Sequence, residues 1–153
     1  MPYDPGESPI RERILVNIEE TLAAIAPPSY ATEIKFVRRW NGNSKQVPET
    51  PCALIVPLPE KTDDSIASLL THFMEVGVVF AIRSSTWPEA MNKLLADARV
   101  ALLEDPSRGG VAVDTQITDE NTVDNAPKSE IGEARMILLI HYRTTYEDPN
   151  TAH

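Results

Sequence analysis

At 153 residues the chain has the size of one domain, and a core of that size needs no disulfide staple. Fourteen basic residues stand against 23 acidic ones, a formal net charge of −9. Such a chain repels phosphate backbones, which weighs against stable nucleic-acid binding while leaving passage of DNA without adhesion compatible. An apolar share of 42% excludes a disordered chain, and the single cysteine, Cys52, excludes an internal disulfide and a cysteine-built zinc site.

Residues 1–8 read as a disordered tail, polar and carrying Pro and Gly, unlike a secretory signal. No apolar run reaches the roughly 18 residues of a membrane span, so no membrane partner is expected and synthesis in the cytoplasm is the default. One α/β domain is expected over 9–146, with 147–153 as a polar C-terminal tail.

Ser8 followed by Pro9 reads as a helix start with a hydroxyl N-cap. Ile10, Ile14, Ile18, Leu22 and Ile25 recur at helical spacing, predicting a helix over 9–26 that Pro27 and Pro28 stop. Glu33 to Trp40 reads as a strand, with Ile34, Phe36, Arg38 and Trp40 on one face and Lys35, Val37 and Arg39 on the other. Asn41-Gly42-Asn43 marks a turn, and a polar loop runs on to Pro51. Cys52 to Val56 is a short apolar strand, and Pro57 to Ser65 reads as a polar connection. Ile66 to Phe73 is ambiguous between helix and strand. Alternation from Met74 to Ile82 predicts a strand over 73–84.

Thr86 reads as the cap of a second helix, with Pro88 in its first turn and Met91, Leu94, Leu95, Ala98, Ala101 and Leu102 on its buried face. That helix ends near Glu104, before an Asp105-Pro106 and Gly109-Gly110 turn. Val111 to Thr118 reads as a strand. Residues 119–133, with five carboxylates and one lysine, read as an acidic loop. Ala134 to Thr145 is a long strand. The order α-β-β-β-α-β-β predicts an α+β fold, with two helices on an antiparallel or mixed sheet of about five strands; strands not separated by a helix are expected to pair antiparallel.

Motifs that carry chemistry are missing from the sequence. No Ser lies in a Gly-x-Ser-x-Gly elbow, and no His-x-x-x-His or Cys-x-x-Cys spacing occurs. Asp119, Glu120 and Asp124 lack the spacing of a calcium loop. Gly109-Gly110 follows a helix, the reverse of a phosphate-binding loop. Asp63-Asp64 and Glu104-Asp105 fall in loops, where a carboxylate pair is not split by burial. His72 and His141 read as structural strand histidines. The expectation is a protein that is not an enzyme, with no catalytic, cofactor or metal site.

The apolar pattern points to assembly instead. The last strand carries Met136, Leu138 and Ile140 on one side and Ile137 and Leu139 on the other, and Val79 and Ala81 back the strand at 74–82. A sheet apolar on both faces needs two covers, and there are only two helices. Either a partner subunit covers one face, or the helices lie on opposite faces, or a loop closes over it. Ala96, Val100 and Leu103 form a second stripe on the second helix, open to a neighbouring subunit or to the first helix. Lys35, Arg38, Arg39 and Trp40 form a basic-aromatic cluster that suits an acidic neighbouring subunit, a nucleic-acid strand or plain solvent. These seven residues are the candidate subunit interface.

The opening Pro9-Ile10-Arg11-Glu12-Arg13-Ile14, the Trp87 to Asp105 segment with its Asp-Pro turn and Gly109-Gly110, and the closing Ile140-His141-Tyr142-Arg143-Thr144 with Asp148-Pro149 resemble the tail terminator (tail-completion) proteins of long-tailed bacteriophages. The resemblance runs over most of the chain as a pattern of elements. It implies an α/β virion subunit forming a hexameric ring that caps the tail tube, ends its polymerisation and joins it to the head. The partners it implies are further copies of the chain, the tail tube protein, a head–tail connector or neck protein, a sheath protein if the tail is contractile, and DNA in passage. It carries over no catalytic residue. Residues 41–51 and 119–133 are the loops to test first as contacts. Another head–tail joining protein, a small-molecule enzyme using His72 and His141, and a nucleic-acid module using Lys35, Arg38 and Trp40 are the competing readings.

Overall fold

A computed structural model describes residues 4–40, 49–64, 68–123 and 130–153. The elements in chain order are α1 (Ile10–Ala23), β1 (Phe36–Arg39), β2 (Cys52–Asp63), β3 (Leu69–Arg83), α2 (Trp87–Glu104), β4 (Asp114–Val123) and β5 (Ile131–Thr145). Two helices and a five-stranded mixed sheet make this an α+β fold, with strands ordered β1-β2-β3-β5-β4.

The sheet is built around β3, which pairs antiparallel with β2 on one side and with β5 along its whole length on the other. β4 pairs antiparallel with β5 and forms one edge. β1 pairs parallel with β2, against the expectation that neighbouring strands run antiparallel. Residues 40–51 separate the two paired segments, about the dozen residues that a parallel connection needs.

One face of the sheet is the core. Ala53, Ile55, Met74, Val76, Val78, Phe80, Met136, Leu138 and Ile140 meet Ile10, Ile14, Ile18 and Leu22 of α1 and Met91, Leu94, Ala98 and Leu102 of α2. Each fully buried aliphatic side chain here contributes about 1.5–3 kcal/mol. Both helices therefore lie on the same layer. Trp87, at the start of α2, lies over Gly132 of β5, where an added Cβ would meet the indole at 2.0 Å. Glycine thus stands at a β5 position that Trp87 approaches too closely for a side chain.

Several boundaries differ from the sequence reading, for identifiable reasons. β2 runs on through Pro57 and Pro59 to Asp63, where a loop was expected. β1 pairs only with Cys52 to Ile55, so β2 beyond Ile55 has a free side, among the described residues, where proline removes no ladder bond. A register shift between Pro57 and Glu60 absorbs the irregularity. Leu69–Phe73, ambiguous in sequence, is strand, and Asp119 to Thr122 belong to β4 rather than to an acidic loop. β4 is an edge strand, so its polar residues face solvent and hide its pairing. Residues 41–48 and 124–129, parts of the two loops proposed as contacts, lie outside the described residues.

Neither expected hydroxyl cap forms. Pro9 is the N-cap of α1 and makes no side-chain bond; the Ile10 N–H donates to the Pro149 carbonyl at 3.1 Å. The Thr86 hydroxyl pairs with Ser84 Oγ at 3.1 Å and does not cap α2. The C-terminal segment, read in sequence as a tail, is docked. Asp148 and Asn150 are buried, Asn150 Nδ2 donates to the Asp4 carbonyl at 2.8 Å, and the Arg13 guanidinium donates to the Asn150 carbonyl.

The α2 terminus closes as the glycine pair predicts. Gly109 and Gly110 have φ of 74° and 88°, and the Asp105 carboxylate accepts from Ser107 N at 3.0 Å and Gly109 N at 2.8 Å. Those hydrogen bonds, Ser107's hydroxyl first, hold the Asp105 carboxyl below its ordinary value. Arg108 folds under this turn, and its guanidinium donates to the carbonyls of Leu102 and Asp105.

Candidate assembly surfaces

The seven residues proposed from sequence fall into two groups on separate elements. In the first, Lys35 is exposed just ahead of β1, where its N–H donates to the Pro51 carbonyl at 2.9 Å. Arg38 and Arg39 diverge, as successive strand residues must. Arg39 turns to α1, where Glu12 takes its guanidinium through two bonds of 2.8 and 2.7 Å and Glu19 takes Nε. That network, the Glu12 bond foremost, raises the Arg39 pKa and lowers that of Glu12. Arg39 is thus engaged inside the chain, clamping β1 to α1. Arg38 lies on the other side of the sheet, its guanidinium 5.6 Å from the Phe36 ring centroid. Trp40 is 39% exposed, and its N–H donates to the Ile55 carbonyl at 2.8 Å. The cluster is therefore divided between two faces.

The second group stays together. Ala96, Val100 and Leu103 lie on the solvent side of α2, opposite its buried row, with Val100 61% and Leu103 37% exposed. α1 does not cover them. Val100 and Leu103 join Ser29, Tyr30 and Glu104 to line a shallow groove. The 27–33 connection forming its other wall is held by Asp97, which accepts from Thr32 N at 2.8 Å and Thr32 Oγ1 at 2.7 Å.

A larger surface lies on the sheet face away from the helices. The register places Leu54, Val79 and Arg135 at one level, Val56, Gly77 and Ile137 at the next, then Glu75 beside Leu139, and Phe73 beside His141. Phe73 and His141 stack with ring centroids 5.0 Å apart. Among the described residues no helix covers this face. Val56, Phe73, Val79, Ile137 and Leu139 remain partly exposed there, with Arg135, Glu75 and Asp119 exposed around them. Apolar residues within a charged surround form the usual make-up of a protein interface. The sequence pattern had marked Val79, Ile137 and Leu139 for this face; the bracketing charges Arg135 and Glu75 emerge only from the register.

A dense polar cluster lies on the helix side of the sheet. Glu60 accepts from the Tyr142 hydroxyl at 2.7 Å and pairs with Arg11 of α1 and with His72 Nδ1, each at 3.6 Å. His72 stacks on Tyr142 with centroids 4.4 Å apart, and its Nε2 is 2.8 Å from Thr144 Oγ1. Hydroxyl, imidazole and carboxylate follow one another in the order of a nucleophilic triad. Thr144 is only 2% exposed, however, so its hydroxyl is closed to a substrate in this conformation. His141 lies on the opposite face, so the two histidines do not converge. The cluster joins the first turn of α1 to β2, β3 and β5. Burial raises the Tyr142 phenol, with Glu60 adding to it.

Burial also holds the His72 imidazole below its ordinary 6.5, with Glu60 partly opposing. A histidine depressed in the folded state gives stability that is present above its unfolded value and lost as pH falls below 6.5 toward the folded value. Melting temperatures at pH 7.5 and 5.5 check this. The wild type should melt lower at pH 5.5, and His72→Gln should reduce that difference; an equal difference in the variant sinks the assignment.

Cys52 is fully buried, and burial pushes its thiol up. Among the described residues no group of three or more His, Cys, Asp or Glu side chains could hold a metal ion, and no helix is long and apolar enough to cross a membrane. No protein-family model matches the chain, and no curated protein matches it.

Proposed function

We propose that this chain is a structural subunit that works by assembling with copies of itself. The observation that carries the reading is a pair of apolar surfaces on opposite layers: the sheet face on which Ile137 and Leu139 stay partly exposed, and the exposed α2 stripe around Val100. Exposed apolar patches of this kind usually mark interfaces.

Within that class we read the chain as the tail terminator of a long-tailed bacteriophage. It forms a ring, a hexamer by the resemblance, on the end of the tail tube in the virion. There it stops tube growth and receives the head–tail connector or neck protein, with a sheath protein as a further partner in a contractile tail. The resembling segments support this reading by falling on α1, on α2 with its turn, and on the end of β5. The formal charge of −9 suits a channel through which DNA passes without adhering.

Two measurements test the reading at its two levels. Solution mass by light scattering should show an oligomer, and Val100→Asp should lower that mass with little change in melting temperature, because the side chain is exposed. An unchanged oligomer would count against the stripe as a contact. Added to polymerising tail tube protein, the chain should arrest growth and appear at tube ends in negative stain. Appearance below the portal instead would assign it to the neck.

A further inference from the structure

We infer that α2 of one copy lies across the open sheet face of the next, with Glu104 set against Arg135 and Lys93 set against Glu75. The inference rests on the self-assembly reading and adds which surfaces meet and in which direction.

Charge is ordered and spaced alike around two apolar strips. On the sheet, Arg135 is level with Val79 and Glu75 with Leu139, so four residues of β3 separate the two charges, about 14 Å of strand. Ile137 lies between them. On α2, Lys93 and Glu104 are separated by about 16 Å of helix, with Ala96, Val100 and Leu103 between. All four charged residues are exposed. Each strip therefore carries a cation at one end and a carboxylate at the other, at matching separation. Laying the helix along the strands in one direction brings both opposite pairs together; the reverse direction opposes like charges, which is costly in a desolvated contact.

A second copy is the occupant that uses both strips. Each chain offers one helix ridge and one sheet face, on opposite layers, so every copy can donate one and receive one. Such head-to-tail contacts are heterologous and close into rings when the rotation allows. A two-fold contact of α2 on α2 would also pair Lys93 with Glu104, but it leaves the sheet face uncovered.

Charge reversal in the full chain tests the pairing. Glu104→Arg and Arg135→Glu, each alone, should weaken association about tenfold or more, and the double variant should recover to within about threefold of wild type. Circular dichroism checks that these surface variants fold. If the double variant is as weak as the two single effects combined, or if neither single has an effect, the pairing is wrong. In a second measurement, Val100→Cys and Ile137→Cys are placed on separate chains, one enlarged by a tag, and oxidised. A disulfide between the two variants is expected; a Val100→Cys homodimer overturns the arrangement in favour of the two-fold contact. An oligomer indifferent to all four substitutions removes this inference while leaving self-assembly standing. A wild-type chain that stays monomeric at every concentration, with or without tube protein, removes both.

Discussion

Alanine at position 132 should lower the melting temperature by about 9 °C, the equivalent of about 3 kcal/mol in a domain of this size. The single added methyl is small, but it has nowhere to go. Its ideal position lies 2.0 Å from Trp87 Cε3 and 2.1 Å from Cδ2, flat against a ring rather than at the end of a flexible chain. Trp87 begins α2 and packs against the core, so the indole cannot retreat without tilting the helix. A double-mutant cycle isolates the clash. Trp87→Ala costs stability by itself, but in that background Gly132→Ala should cost less than about 1 kcal/mol. If the two losses simply add, the close approach of α2 to β5 is not what position 132 protects.

Arg108→Ala should cost about as much, about 3 kcal/mol by denaturant unfolding, mainly through the lost carbonyl bonds and packing, with the Coulombic attraction to Asp105 a lesser part. Arg108 is 2% exposed, and its guanidinium bonds the last carbonyls of α2. Truncation leaves those acceptors buried and opens a cavity beneath the turn. The arrangement is an imperfect one, because Nε and Nη1 of Arg108 are buried with no hydrogen-bond partner, and burial lowers the pKa of the guanidinium. Arg108→Met should therefore be milder than Arg108→Ala: it fills most of the volume and removes the unpaired donors, while still losing the carbonyl bonds. Equal losses in the two variants would mean that the cavity contributes nothing.

Both helices were legible because each buries one stripe of a 3.6-residue repeat, and the stripe's members are the residues found at zero or near-zero exposure. β3 was legible from Met74 to Ile82 because its core row alternates with a second face, and β5 because Met136, Leu138 and Ile140 do the same with Ile137 and Leu139 behind them. The rest depended on pairing, which no local pattern encodes. Asp119 to Thr122 look like loop because an edge strand has one ladder and one wet face. The parallel direction of β1 is not encoded in Phe36–Arg39 themselves, whose alternation suits either direction. Of the candidate interface, the α2 stripe could be read from spacing alone. The acids that Arg39 meets within the chain were not legible, because Glu12 and Glu19 lie 27 and 20 residues away in sequence and reach it only once α1 packs beside β1. Arg135 and Glu75 become a matched bracket only when β3 and β5 are in register.

The docking of residues 149 and 150 on the first turn of α1 has a consequence for how the chain is made. The carbonyl that receives the first N–H of α1 and the one that receives Arg13 are translated about 140 residues after the helix itself. A nascent chain therefore carries a helix with an open end and a central β3 whose β5 partner has yet to be translated. The face proposed to receive a neighbouring copy is absent from such a chain as well. On the proposed arrangement, a copy can therefore receive a neighbour on that face only after β5 has been translated.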